Sequence, residues 1–368
     1  MRTVHNPPNR FESSHLEWEP GYAPLAKLHI QEETAKSILS ENRSPDLPFR
    51  FSVNPYRGCQ HACAYCYARP SHAYWGYGAG TDFERRLIVK QNAPALLARA
   101  LRRRSWQGHS IMFSGNTDCY QPIEGKYRLT RALLEVCLKY RNPVSIITKG
   151  SLIARDLDLL QALAQVTTVR VFMSIPFADD ALGRALEPAA APISRRFAVL
   201  EQLSAAGIET GVALAPLIPG VSEASIAPVL RAAHQAGARQ AFAILLRLPG
   251  EVAEVFFARL QEALPMRAKA VESAQRQMRA GQLNSAAFGE RMRGIGPRYQ
   301  ALLGIFAAET RRLGMETRCE AELLTAPPTP RNPNMGNAPG ARRAASPVER
   351  EAGGARQVQL PLFDGLAG

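Results

Sequence analysis

From residue 110 onward, short apolar runs alternate with longer stretches in which apolar residues recur every three or four positions. Val144-Ser-Ile-Ile-Thr148 and Val169-Arg-Val-Phe-Met-Ser174 are rich in β-branched and aromatic residues, as strands are. The pattern predicts strands over 110–114, 144–148, 169–175, 209–214 and 240–246. Between and after them it predicts helices over 128–140, 156–164, 194–206, 223–236 and 251–264. Phe51-Ser-Val-Asn54 reads as a further, earlier strand, which completes six β/α units. Strict alternation predicts a parallel sheet with helices outside it and right-handed crossovers.

The flanks read differently. Residues 1–45 are mixed and proline-bearing and predict an extended arm lying on the body. Ala93–Arg103 has a helical composition, with Asn92 as N-cap ahead of Pro94. The β/α core is assigned to 46–265. Residues 266–320 read as a helical appendage, with helices over 268–279 and 298–313 separated at Gly294-Ile-Gly-Pro297. Residues 321–368 are too poor in apolar residues to fold and predict a disordered tail. Near its end an apolar island returns, Gln359-Leu-Pro-Leu-Phe363, of the kind that inserts side chains into a partner's groove.

Composition narrows the classes. The 368 residues are 46% hydrophobic, enough for one large domain with appendages. No apolar run is long enough to cross a bilayer, and the first residues lack the apolar core of a secretory signal. A cytoplasmic protein without a membrane partner is expected. The net charge of +13 favours a polyanion, DNA or RNA, as partner. Two basic stretches are candidates for that contact: Arg99 with Arg102-Arg103-Arg104, and the arginine-rich appendage. A solvated helix face and a helical cap are their bland readings.

The chemistry concentrates in Asn54–Tyr67, where Cys59, Cys63 and Cys66 stand in the spacing C-x3-C-x2-C. Three thiolates this close suit a soft metal centre such as zinc or an iron–sulfur cluster. No nearby cysteine supplies a fourth ligand, whereas a closed zinc site needs four. His61 is the only local substitute, and it lies between the first two cysteines with poor reach.

The motif resembles that of the radical S-adenosylmethionine (radical SAM) superfamily, C-x3-C-x-(aromatic)-C, with Tyr65 as the aromatic and Gly58 leading. The resemblance implies a partial TIM-type (β/α)6 barrel, which periodicity alone leaves open against a doubly wound sheet. It also implies a [4Fe–4S] cluster on the three cysteines, completed by S-adenosylmethionine and reduced by an external electron donor. Cleavage of S-adenosylmethionine would then yield a 5′-deoxyadenosyl radical that abstracts hydrogen from a substrate. The loop Ser114-Gly-Asn-Thr-Asp118 after the second strand resembles the version found in the spore photoproduct lyase-like branch, also called DNA repair photolyase-like. A bacterial subgroup of that branch shares an Asn-Pro-Asn-Arg-Phe-Glu stretch, here with Pro7-Pro8, and Tyr-Cys-Tyr-Ala-Arg-Pro-Ser-His-Ala-Tyr, here Tyr65–Tyr74.

Carried over residue by residue, the resemblance implies S-adenosylmethionine contacts at Tyr65, Gly115, Asn116, Thr117, Asp118, Lys149 and Ser174. Asp118 would take the amino group, Lys149 the carboxylate, and Ser174 ribose or carboxylate. The stretch Ala215–Gly220 offers backbone to adenine, and Arg195 or Arg196 a further charge. Photoproduct lyases return hydrogen from a cysteine whose place here is Gly115. Cys119, four residues on, is the candidate donor, or an inert buried thiol. His72 reads as a hydrogen-bonded loop residue, and Tyr67, Tyr74, Trp75 and Tyr77 as cover for a loop, with Tyr67 also able to stack on a base. The tail island is similar to the peptide by which bacterial DNA enzymes bind the replication sliding clamp, through Gln359, Leu360, Leu362 and Phe363. Two other functions stay open: a radical SAM enzyme acting on a protein or small metabolite, and a zinc-bearing nucleic-acid adaptor without catalysis.

Overall fold

The computed structural model describes residues 2–19 and 21–317. The strands are β1 (His29–Glu33), β2 (Leu39–Glu41), β3 (Phe51–Val53), β4 (Tyr56–Arg57), β5 (Arg86–Lys90), β6 (Ile111–Phe113), β7 (Val144–Thr148), β8 (Val169–Ser174), β9 (Glu209–Leu217), β10 (Gln240–Leu245) and β11 (Glu316–Thr317). Eight of them make one sheet in the order β11-β10-β9-β8-β7-β6-β3-β2. Neighbours from β3 to β11 run parallel, and only β2 is antiparallel to its neighbour β3. The six core strands are those expected from the alternation. Helices Leu129–Tyr140, Leu157–Ala164, Ile193–Ala205, Ile226–Gln235 and Val252–Ala263 follow successive strands, within a few residues of their predicted bounds.

Successive side chains of each strand point to opposite faces. Ile111, Phe113, Val171, Met173, Val212 and Leu214 bury against the helices in the large core. Met112, Phe172, Ala213 and Phe242 turn the other way and form a smaller cluster, with Phe172 and Phe242 edge to face at 5.3 Å. The Phe172 ring lies against β9 where only glycine fits: a Cβ on Gly211 would stand 2.3 Å from it. These inward residues wall a cavity open at the C-terminal ends of the strands, where loops of such sheets gather ligands.

Three differences from the sequence reading have physical causes. Arg86-Leu-Ile-Val-Lys90 forms β5, flanked by β1 in parallel and β4 antiparallel in a second, three-stranded sheet. Its arginines drew attention away from Leu87, Ile88 and Val89, all buried. The arm is ordered into strand by the same pairing, and its start is seated by close approach to glycine. His5 N donates to Thr81 Oγ1 at 3.1 Å, and a Cβ on Gly80 would meet the His5 carbonyl at 2.0 Å. Beyond the predicted appendage helices, found at Pro265–Gln277 and Gly296–Arg312, β11 extends the sheet by one strand next to β10. The tail and its 359–363 peptide lie outside the described residues. Among those described, no helix is long and apolar enough to cross a membrane.

Candidate active site

Gly58 begins the site. Its φ of +74° and the absence of a side chain let the chain turn beneath Phe83 O, which a Cβ would approach to 2.9 Å. Cys59 N then donates to that same carbonyl at 2.8 Å. Two further turns follow, Ala62 N to Cys59 O and Cys66 N to Cys63 O, both 3.3 Å, and they bring the three cysteines to one side. Gln121, fully buried, clasps the loop from the segment after β6: its Oε1 accepts from Gln60 N at 2.8 Å and its Nε2 donates to Gly58 O at 3.0 Å. Cys59, Cys63 and Cys66 are unpaired thiols lining a cavity of about 250 Å³. Burial pushes all three thiols upward in pKa. Among the described residues, no three His, Cys, Asp or Glu side chains converge as a single metal ion requires. Three thiols on one cavity wall are a donor set able to hold a cluster at three corners.

Opposite the thiols stand the ends of β6, β7 and β8. Asp118 is gripped on both oxygens. Oδ1 accepts from Thr148 Oγ1 at 2.7 Å and Tyr120 N at 2.9 Å. Oδ2 accepts from Lys149 N at 2.8 Å and faces His61 Nδ1 at 3.3 Å. Burial alone would raise this carboxyl, but the facing His61 and these donors bring it down to about 2. Lys149 Nζ donates to Ser174 Oγ at 2.8 Å and lies 3.8 Å from Glu187 Oε1. Ser174 Oγ in turn donates to Ala215 O at 3.3 Å. Glu187 is fully buried, in ion-pair contact with Arg196 and hydrogen-bonded by Tyr65. Burial works to raise this carboxyl too, and Arg196 and Lys149 hold it below its usual range nonetheless.

The cavity wall thus gathers the three cysteines with Tyr65, Gly115, Asn116, Asp118, Lys149 and Ser174. Ala215 and Pro216 also line it. Two predicted residues stay outside. Thr117 is buried and donates to Tyr56 O at 2.9 Å, fastening its loop to β4. Cys119, the candidate hydrogen donor, lies fully buried in the main core and not on the cavity wall. Thr130 Oγ1 binds its carbonyl at 2.7 Å, and burial pushes its thiol well up. Of the two candidate arginines, Arg196 is the buried one, with Nη1 on Ser174 O at 2.9 Å, and Arg195 is exposed. His72 is a buried loop residue, its Nε2 donating to Arg86 O at 2.8 Å.

Sequence reasoning passed over Glu187 and gave His61 only a weak zinc role. Glu187 sits in an alanine-rich stretch with no motif around it. A charge between Leu186 and Pro188 was the one available sign. Tyr67, partly exposed, completes the wall: its hydroxyl donates to Gly115 O at 3.0 Å and its ring lies 5.8 Å from the Arg247 guanidinium. Asp46, Phe49 and Met292 form the rim, tied by the Arg291 Nε–Asp46 Oδ2 pair at 2.7 Å.

The comparisons agree with this geometry. A model of the radical SAM superfamily matches residues 53–233. An uncharacterized protein of Mycobacterium tuberculosis is 39% identical over 199 residues, 53% of this chain and 58% of that protein. This chain therefore spans little more than half the length of that relative. An uncharacterized protein of Methanocaldococcus jannaschii is 31% identical over 194 residues, 53% of this chain and 70% of that protein. In fold, the chain is similar to spore photoproduct lyase complexed with dinucleoside spore photoproduct. That match has a TM-score of 0.54 and 13% identity, and covers 78% of this chain and 81% of that one. It is also similar to a mutant of that lyase with bound AdoMet and dinucleoside spore photoproduct. There the TM-score is 0.57 and the identity 14%, over 83% of this chain and 87% of that one. With its three-thiol cavity at the end of a parallel barrel sheet, the chain belongs to the radical SAM superfamily, enzymes whose cofactors are a [4Fe–4S] cluster and S-adenosylmethionine.

Proposed function

We propose that the protein is a radical SAM enzyme that cleaves S-adenosylmethionine reductively and acts on a nucleic-acid base or lesion. The observation that carries the first half is the sharing of one cavity by Cys59, Cys63 and Cys66 with the polar ends of three consecutive strands. In this reading the three cysteines hold the cluster. When bound, the two cofactors supply an electron and a 5′-deoxyadenosyl radical able to abstract hydrogen.

The chain's own residues do the rest. Lys149, held by Ser174 and Glu187, presents its ammonium toward a carboxylate. Asp118 keeps its charge while buried and faces an amino group. Gly115 and Asn116 let a ligand approach the backbone. Met112, Phe172 and Phe242 exclude water around the reacting centre, which protects a radical from stray hydrogen donors. Cys119 has no part in this scheme, since its thiol is turned into the core.

The nucleic-acid half is supported by the net charge of +13 and by the aromatic ring of Tyr67 at the cavity wall, beside Arg247. The fold likeness to a lyase solved with a dinucleoside photoproduct is consistent with it. Anaerobic reconstitution, reduction and incubation with S-adenosylmethionine test both halves. 5′-Deoxyadenosine is expected from the wild type, stimulated by DNA or RNA, and lost in Cys59→Ala, Cys63→Ala and Cys66→Ala. Persistent cleavage in any of the three sinks the ligand assignment. Stimulation by a peptide or metabolite instead of nucleic acid sinks the substrate class.

The tail peptide adds a finer partner. Gln359, Leu360, Leu362 and Phe363 would dock on the replication sliding clamp. A synthetic peptide over 355–368 should bind purified clamp, and its Leu362→Ala, Phe363→Ala version should not. No binding at high micromolar peptide removes that partner.

A further inference from the structure

Behind the cysteine loop, away from the cavity, lies a buried trio of charges. Arg69 is completely enclosed. Its Nε and Nη2 donate to Cys63 O at 3.1 and 2.7 Å, and its Nη1 to Ala79 O and Gly80 O at 3.0 and 2.9 Å. Nη2 also reaches Glu84 Oε1 at 2.6 Å. Arg259, from the helix Val252–Ala263, contacts the same carboxylate oxygen and donates to Ala62 O at 3.1 Å. Two cations thus share one anion, and the trio carries a net charge of +1. Three of its donors end on the carbonyls of two consecutive residues, Ala62 and Cys63, within the motif. Ala62 stands at a φ of +57°, a conformation that a non-glycine residue adopts only when held.

Stability does not ask for this arrangement. One arginine would neutralise Glu84, and buried ion pairs and trios are often replaced by apolar residues at no loss. What the second cation adds is positive charge, poorly screened because buried, against the backbone of the loop whose three sulfurs carry negative charge when they hold a metal centre. Net charge and hydrogen bonding around the sulfurs are among the terms that set an iron–sulfur potential.

We propose that Arg69, Glu84 and Arg259 form a charged brace that sets how readily the centre held by Cys59, Cys63 and Cys66 accepts an electron. The inference rests on the ligand assignment made above for those cysteines. The electron comes from an external one-electron reductant and adds one negative charge beside the brace, which its positive charge favours. Arg69 and Arg259 are positioning residues: they touch the loop backbone and not the reacting atoms.

The test is a redox titration of anaerobically loaded protein, with dithionite as reductant and electron paramagnetic resonance as readout, alongside iron and sulfide content. Arg259→Met takes the trio to zero charge, and its midpoint should move negative. Glu84→Gln takes the trio to +2, and its midpoint should move positive. The double variant returns to +1 and should lie near the wild type. A purely structural role predicts the opposite order of damage, with the double variant the worst. Should Arg259→Met not load iron, the sign of the Glu84→Gln shift decides alone. Loaded variants sharing one midpoint, or single variants shifting in the same direction, overturn the brace. A wild type that holds no iron and sulfide overturns the ligand assignment and the brace together, which separates the two failures.

Discussion

Asp118 shows how much a single side chain in this site is asked to do. Its two oxygens already receive Thr148, Tyr120 and Lys149 backbone or hydroxyl donors, and His61 faces one of them. The carboxylate therefore caps its own turn and lines the cavity at the same time. The inward donors fix the carboxylate, and the fixed carboxylate faces the cavity. His72 is the contrasting case, a titratable group kept neutral. It is fully enclosed, with Asp82 and Arg69 as the charged groups nearest it and Tyr77 and Phe83 against its ring. Burial is the main cause of a pKa lowered to about 4 from 6.5. Because the folded value is the lower one, the unfolded chain binds the extra proton between pH 4 and 6.5. Stability is then complete above about 6.5 and falls as pH drops through that window, by up to about 3 kcal/mol. Urea unfolding at pH 7 and pH 4.5 should show this loss in the wild type. His72→Gln, which keeps a donor for Arg86 O, should lose less. Equal losses in both would mean that His72 is not buried neutral.

At the scale of elements, legibility followed the packing. Strands β6 to β10 are buried on both faces, so their apolar runs stand out from the polar loops, and their helices carry clear one-sided patterns. The short strands did not announce themselves. β4 has two residues and β11 has two, and neither holds a pattern without the neighbour that pairs with it. β5 was readable in principle, since Leu87, Ile88 and Val89 form an apolar centre between charged ends. The site divides in the same way. Residues within the motif or at strand ends, such as Cys59, Lys149 and Ser174, line one cavity. Glu187 and Arg259 reach the site from elements far away in sequence. Arg259 touches Ala62, 197 positions distant, and no local pattern could pair them. Cys119 was misleading because proximity in sequence to Gly115 says nothing of which way a side chain turns after a loop. Ser114, at a φ of +70°, accepts from Cys119 N at 2.9 Å, and Cys119 lies in the core.

For the whole molecule, the fold separates the two basic stretches that are equivalent by composition. Arg102, Arg103 and Arg104 are exposed and lie just before β6 begins, at the end of the strands away from the cysteines. The appendage reaches the other end, where Met292 lines the cavity and Arg291 is locked to Asp46. A nucleic acid whose base enters the cavity must pass over this second region, whereas the first can hold only passing or flanking duplex. Removing one cation from a phosphate lowers the slope of log affinity against log salt by about 0.9 on duplex and about 0.7 on single strands. Replacing Arg102, Arg103 and Arg104 by serine should therefore reduce that slope by about two to three units at most, and only if the far end binds at all. In the same variant, stimulation of 5′-deoxyadenosine formation by a short single strand should be unchanged, because such a strand spans the mouth alone. Loss of that stimulation would mean that the substrate wraps from one end of the barrel to the other. A slope unchanged by the triple substitution, with stimulation intact, would leave the arginine run as a solvated helix end and place the binding charge elsewhere on the protein.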